Sequence, residues 1–307
     1  MKSRILIGGI LLSIGHLFFN FTVFQQTLVL LLGVFIIGIP HGSIDHYLYM
    51  VNTQVKISAK YLIKFLVQYI GVGLIYALLW WLNPMLALII FIGISAYHFG
   101  ELDTLNFDFK NKTYAFFAAF SYGLFFLINL LLVHSKDVLP IIASFPGISL
   151  TSEDVLISTN SLIPIFPVLS VILFLVILSI SLKESTHFSK KTLSNLLVLI
   201  ILQAVVFSMP LILGFAFYFC AWHSVLSFKI ILNHVSWQTK SPLFVLKKLI
   251  PTNVVAWLFL GVLLIYFRSD LNTLLAILFL GIAILTAPHI GVISKMLHVH
   301  PKVKNQP

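Results

Sequence analysis

Residues 24–48 read FQQTLVLLLGVFIIGIPHGSIDHYL, an apolar run that ends on two histidines and an aspartate. A bilayer core about 30 Å thick needs roughly 20 apolar residues in helix to cross it, and this run supplies them. Its PHGSIDH, Pro40–His46, places ionisable groups within the span of a chain that is 60% hydrophobic and only 9% charged. Such groups are costly in lipid, so they face a cavity or a functional site. Three more single histidines sit in similar settings: SAYHFGELD at His98, FCAWHSVLSF at His223 and TAPHIGVI at His289.

The rest of the chain repeats the apolar pattern. Its 307 residues have a mean hydropathy of +1.06, which places it among polytopic membrane proteins. The fold class expected is all-α: one integral membrane domain over residues 1–307, a transmembrane bundle of about ten spans. The spans run roughly over 4–20, 24–48, 62–82, 84–101, 114–133, 162–182, 193–210, 211–232, 252–267 and 271–294. Pro84 and Pro210 mark tight reversals, because the residue before a proline leaves the helical region. Met1–Gly15 has a basic start but no small-residue cleavage site, and reads as a retained first helix. The longest polar connection, Ser135–Asn160, reads as an irregular or re-entrant loop outside the cytoplasm.

Charge placement orients the bundle. With ten spans and a cytoplasmic amino terminus, 17 of the 19 lysines and arginines fall inside, and only Lys136 and Arg268 fall outside. That bias is the positive-inside pattern, and it puts both termini of this multi-pass cell-membrane protein in the cytoplasm. Anionic inner-leaflet lipid accounts for the net charge of +10. No nucleic-acid partner is implied. The single cysteine, Cys220, excludes an intrachain disulfide and a thiolate metal site; it reads as a small buried hydrophobe.

His41, His98, His223 and His289 lie on spans two, four, eight and ten, which all run from outside to inside. Each falls in the middle or inner half, so the four share one depth, a precondition for binding one ion. A lone histidine in such a span is more often a hydrogen-bonded packing residue; four at one depth, each expensive if unpaired, point to a metal centre. Asp45, four residues after His41, shares its helix face and suits the second ring N–H of a ligating imidazole. His46, Glu101 and Asp103 lie near the same end, where Glu101 and Asp103 also read as a solvated helix terminus. Gly42 and Gly100 allow helices to approach closely. A nitrogen donor set disfavours magnesium and calcium and leaves zinc, iron and copper open. The aromatics Phe91, Tyr97, Phe99, Phe217, Tyr218, Phe219 and Trp222 around these segments suit a long apolar substrate arriving from lipid.

Taken together, the motifs resemble the Brp/Blh family of β-carotene 15,15′-dioxygenases, over nearly the whole chain. The family's PHG-x-x-DH, A-x-HFG-x-x-D, WHS and PH elements read here as PHGSIDH at 40–46, AYHFGELD at 96–103, WHS at 222–224 and PH at 288–289. The resemblance implies cleavage of the central double bond of β-carotene by dioxygen at non-haem Fe(II), giving two retinal molecules. It carries His41, His98 and His223 over as iron ligands. The family usually has a further histidine four residues after the WHS histidine, where this chain has Ser227, and a basic residue where it has Leu226. His289, favoured for its depth, or His46 then completes the site, or three ligands suffice, or the chemistry has changed. Apart from the metal ligands, no catalytic residue or organic cofactor is implied. The rival from another class is a histidine-dependent transporter of protons or metal ions through His41, Asp45 and His46, which predicts inverted repeats and interrupted helices in both halves; no such symmetry is visible. A di-iron desaturase would need clustered histidine boxes that are absent.

Overall fold

The computed structural model describes the chain except residues 55–57, 106, 108, 110, 152–159, 161–164, 166–167, 170, 181–182, 184–189, 268–269 and 300–307. The described residues form helices and no strand. In chain order these are α1 (Lys2–Phe19), α2 (Val23–Thr53), α3 (Ala59–Leu82), α4 (Pro84–Asp103) and α5 (Lys112–Val133). They continue with α6 (Ser135–Ala143), α7 (Val171–Ile180), α8 (Lys190–Phe207), α9 (Leu211–His234), α10 (Pro242–Phe267) and α11 (Leu271–Val299).

Eight of these, all except α6, α7 and α8, contain a stretch long and apolar enough to cross a membrane. Val171–Ile180 and Leu193–Phe207, at the sixth and seventh expected spans, are shorter apolar helices. The ten apolar runs of the sequence therefore correspond to ten helices of an all-α membrane bundle. Side chains turned outward are apolar in keeping with a lipid surround: Phe18, Trp81 and Tyr266 are 79%, 80% and 78% exposed.

Polar residues start the helices by taking N–H groups that have no partner in the first turn. Thr22 and Gln25 form a capping box at α2, and the Ser58 side chain accepts from Tyr61 N at α3. The tight turn at Pro84 follows the same rule, with Asn83 Oδ1 accepting from Leu86 N at 3.0 Å. Pro84 itself occupies the first turn, where its missing N–H leaves no gap.

The structure departs from the sequence pattern in two places. Helix α10 begins at Pro242, well before residue 252, and runs through Lys247, Lys248 and Pro251. The lysines mark where the apolar run begins, not where the helix begins, and a proline is tolerated where neighbours satisfy the freed carbonyl. The connection after α5 is helical at first, since α6 buries Val138, Leu139 and Ile141. Of the basic residues used to orient the bundle, Lys56, Lys110, Arg268, Lys302 and Lys304 lie outside the described residues, as do His187 and His300.

The tightest helix crossing joins α4 to α5. A Cβ on Gly100 would lie 1.7 Å from Ala119 O, and one on Gly123 would lie 1.8 Å from Ala96 O. Between helices in lipid, packing replaces the hydrophobic drive, and small residues let backbones meet. Gly42 has no such role: its nearest outside atom, His289 Nδ1, is 4.0 Å from the Cβ position. Gly100→Ala and Gly123→Ala should therefore each lower stability by about 1–3 kcal/mol or more. Gly8→Ala and Gly71→Ala, where a Cβ meets nothing within 4 Å, should not. Thermal unfolding in detergent checks the contrast.

Candidate metal centre

Two widened helical turns prepare the site. Pro40 has no N–H for the carbonyl four residues back, and its ring crowds that carbonyl. The turn before it, Val34–Gly38, is π-helical, with Ile39 N–H bonded to Val34 O. The second π segment, Phe217–Ser224, contains His223. There the Ser224 hydroxyl donates to Phe219 O, five residues back, at 2.7 Å. Such insertions recur at functional sites because they re-aim side chains without ending the helix.

All four expected histidines meet at one place, from α2, α4, α9 and α11. They are 5%, 3%, 1% and 6% exposed for His41, His98, His223 and His289, so each ring nitrogen needs a partner from within the bundle. Ring centroids are 4.7 Å apart for His98 and His223, 5.2 Å for His98 and His289, 5.3 Å for His41 and His289, and 6.0 Å for His41 and His223. His98 Nε2 and His223 Nε2 stand 3.1 Å apart. Two imidazole lone pairs repel at that distance, so a proton or a cation has to lie between them.

Other contacts fix which nitrogen of a ring is left free. His289 Nδ1 lies 2.9 and 2.8 Å from the two Asp45 carboxylate oxygens, so its N–H donates there and Nε2 keeps the lone pair. Tyr69 Oη donates to Asp45 Oδ2 at 2.8 Å. Asp45 thus serves His289 on α11 and not His41, the residue on its own helix that its spacing suggested. His41 Nδ1 instead lies 3.3 Å from Ile37 O, one turn back within the π segment. Buried and without a hydrogen-bond partner among the described residues are His98 Nδ1, His223 Nδ1 and His289 Nε2.

These atoms test whether a metal suits the place. Imidazoles bound to one ion at about 2.1 Å have ring centres roughly 4.5–6.5 Å apart and neighbouring donor atoms about 3.0–3.4 Å apart. The ring spacings and the 3.1 Å Nε2 pair fall in those ranges. The unpartnered His289 Nε2 is a lone pair lacking a buried acid. A neutral nitrogen set of this kind fits iron, zinc or copper. Among the described residues, however, no group of three or more histidine, cysteine, aspartate or glutamate side chains is placed to hold an ion outright. Ring placement and chemistry fit a metal; full convergence of the donor atoms is not present.

The remaining expected residues separate. His46 Nδ1 lies 3.1 Å from Ser43 O, and its ring packs on Tyr47 with centroids 4.0 Å apart. It lines the cavity below but makes no ring contact with the four. Glu101 and Asp103 are buried, at 6% and 1% exposure, which corrects the solvated-terminus reading. Glu101 accepts from Tyr97 Oη and Ser294 Oγ, both at 2.9 Å, and so ties α4 to α11. Asp103 accepts from Tyr218 Oη at 2.9 Å and Trp222 Nε1 at 2.7 Å. Of the expected aromatic wall, Phe91, Phe99 and Phe219 line the cavity, whereas Phe217 packs on Gly9. Ser227 is buried at 2% exposure; the fourth imidazole of the cluster is His289. Tyr69 and Gly123 were not signalled by any motif, because their partners are distant in sequence.

A cavity of about 650 Å³ opens onto His41, His98 and His289, with His223 behind them. Its walls on α4 and α11 run from Leu88 to His98 and from Phe279 to His289, about 15 Å of helix each. Beyond the last turn before the histidines these walls are hydrocarbon, and α6 contributes Val138, Ile141 and Ile142 at the far end.

A family model described as "Beta-carotene 15,15'-dioxygenase" matches residues 32–297. A protein named "Beta-carotene 15,15'-dioxygenase", from an uncultured marine bacterium 66A03, is 25% identical over 281 residues. That alignment covers 89% of this chain and 95% of the relative. No solved structure matches significantly.

The Asp45 contacts generate a test of the site's architecture. Asp45→Leu leaves a buried imidazole N–H and a tyrosine hydroxyl unpaired, and should cost about 1–3 kcal/mol for each group left so. Tyr69→Phe should cost less than Asp45→Leu, about 1.5–3 kcal/mol, the worth of one hydrogen bond to a charged acceptor. Equal melting temperatures for the two variants would count against Asp45 as the shared acceptor.

Proposed function

Because the chain belongs to the β-carotene 15,15′-dioxygenase family, we propose that it cleaves the central double bond of β-carotene with dioxygen to give two molecules of retinal. The observation that carries this reading is the four-imidazole cluster at the wall of a long hydrocarbon cavity inside a membrane bundle. Both atoms of O2 end as aldehyde oxygens, one on each product, so no external reductant is required.

His41, His98, His223 and His289 would hold a non-haem Fe(II), which supplies the electron-transfer step that lets triplet dioxygen react with a closed-shell alkene. Asp45 accepts the Nδ1–H of His289 and keeps its Nε2 lone pair turned toward the other rings. Tyr69 holds the carboxylate in that pose. Phe91, Phe99 and Phe219 press a rod-like polyene against the imidazoles, so that one bond is within reach. The hydrocarbon walls exclude water from a substrate that has no polar group to orient. The carotenoid arrives laterally from membrane lipid, and dioxygen, which is apolar, partitions the same way. Nothing in the family match or the named relative supports the transporter alternative.

Expression in a carotene-accumulating host should yield extractable retinal. His98→Ala should reduce both retinal and iron content to background, because losing one ligand of a neutral nitrogen set weakens affinity and geometry together. His289→Ala should be as damaging, and Ser227→His should restore iron to it, since position 227 is one helical turn from His223. An iron-replete, active His289→Ala protein would leave His46 or a three-ligand site as the better assignment.

The orientation proposed is a cell-membrane protein with both termini cytoplasmic, supported by the 17-to-2 charge bias. Reporters fused at Pro307 and in the Asn52–Lys60 loop should read cytoplasmic, and one at Ser144 should read outside. A cytoplasmic Ser144 reporter would overturn it.

A further inference from the structure

The last residue of AYHFGELD, Asp103, is buried at 1% exposure and accepts two hydrogen bonds from one segment of another helix. Tyr218 Oη reaches one carboxylate oxygen at 2.9 Å and Trp222 Nε1 reaches the other at 2.7 Å. Both donors lie in the π-helical stretch Phe217–Ser224, and Trp222 immediately precedes His223. Asp103 itself is five residues beyond His98 on α4. One carboxylate therefore joins the two helices whose imidazoles face each other at 3.1 Å. The Lys2 ammonium lies 5.6 Å from the centre of the Trp222 ring, over its face.

A π segment holds one residue more than the regular helix it interrupts, and the regular register is its natural competitor. Reverting would rotate the following residues by about 100°, and His223 would turn away from His98. The two donors, four residues apart within the π stretch, each hold a different oxygen of one carboxylate, and rotation of the turn would pull them off it. We infer that Asp103 is a positioning residue: it selects the π register of Phe217–Ser224 and so aims the His223 imidazole. Charged acceptors give the stronger hydrogen bonds, and in a buried setting the alternative is two unpaired donors.

Cys220, the chain's single cysteine, lies between the two donors and is buried. Its Sγ is 2.8 Å from where a Cβ on Gly33 would stand. Its reactivity therefore reports the register of this turn without any metal or activity. The test measures N-ethylmaleimide labelling of Cys220, and Co(II) affinity by visible absorption, on the full chain in detergent; only the Co(II) arm rests on the ligand reading above. Asp103→Leu should label at least about tenfold faster and bind Co(II) about 10–100-fold more weakly. Asp103→Asn can still accept from Trp222 and donate to the Tyr218 oxygen, and should retain slow labelling and Co(II) affinity. If Asp103→Leu does not fold, the double variant Tyr218→Phe with Trp222→Phe removes the same two bonds and is expected to behave as predicted for it. Wild-type labelling and affinity in the variants lacking these bonds, or an Asp103→Asn protein that behaves like Asp103→Leu, would overturn the inference. Should the unaltered protein bind no Co(II), the ligand reading fails and labelling alone decides the role of Asp103.

Discussion

An imidazole buried in a membrane bundle has two nitrogens and no water to satisfy them, and that constraint governs this structure. Four such rings share one place, with ring centroids of neighbouring rings 4.7 to 6.0 Å apart. Asp45 satisfies His289 through Nδ1, a backbone carbonyl faces Nδ1 of His41, and His98 and His223 turn Nε2 toward each other. A protonated cluster would crowd positive charge in a medium that penalises even one. A single cation would offer each remaining lone pair a partner.

The surrounding architecture follows from bringing those rings together. Pro40 widens the helix before His41, and a second π segment carries His223. Gly100 and Gly123 let α4 and α5 meet backbone to backbone two residues beyond His98. Asp103 fastens α4 to the π turn, and Glu101 fastens it to α11. Buried acids at the carboxyl-terminal end of α4 are thus structural ties between the helices that carry the imidazoles. The opposite side of the cluster is left apolar, which is where the cavity opens.

Much of this was legible in the sequence. Hydropathy located the ten apolar helices because a bilayer demands long unbroken runs, and charge asymmetry kept their count consistent. Depth on spans of one direction picked out His41, His98, His223 and His289 from eleven histidines, and the rings of those four stand near one another. What one-dimensional spacing could not show was pairing across helices. Asp45 sits one turn from His41, yet its carboxylate reaches His289, 244 residues away. Glu101 and Asp103 resembled a solvated helix end because acidic residues commonly stand there; their hydroxyl and indole partners come from α4 itself, α9 and α11. The start of α10 was missed because Lys247 and Lys248 precede the long apolar run but already lie inside the helix.

The central claim is that four imidazoles from four membrane helices bind one iron. X-ray absorption at the iron K edge of the purified protein in lipid tests it directly. One iron per chain with four imidazole nitrogens at about 2.1 Å is expected, and loss of the bound iron in the His289→Ala variant. Iron bound mainly by oxygen ligands, or a His289→Ala protein that keeps its iron with the same imidazole count, would contradict it.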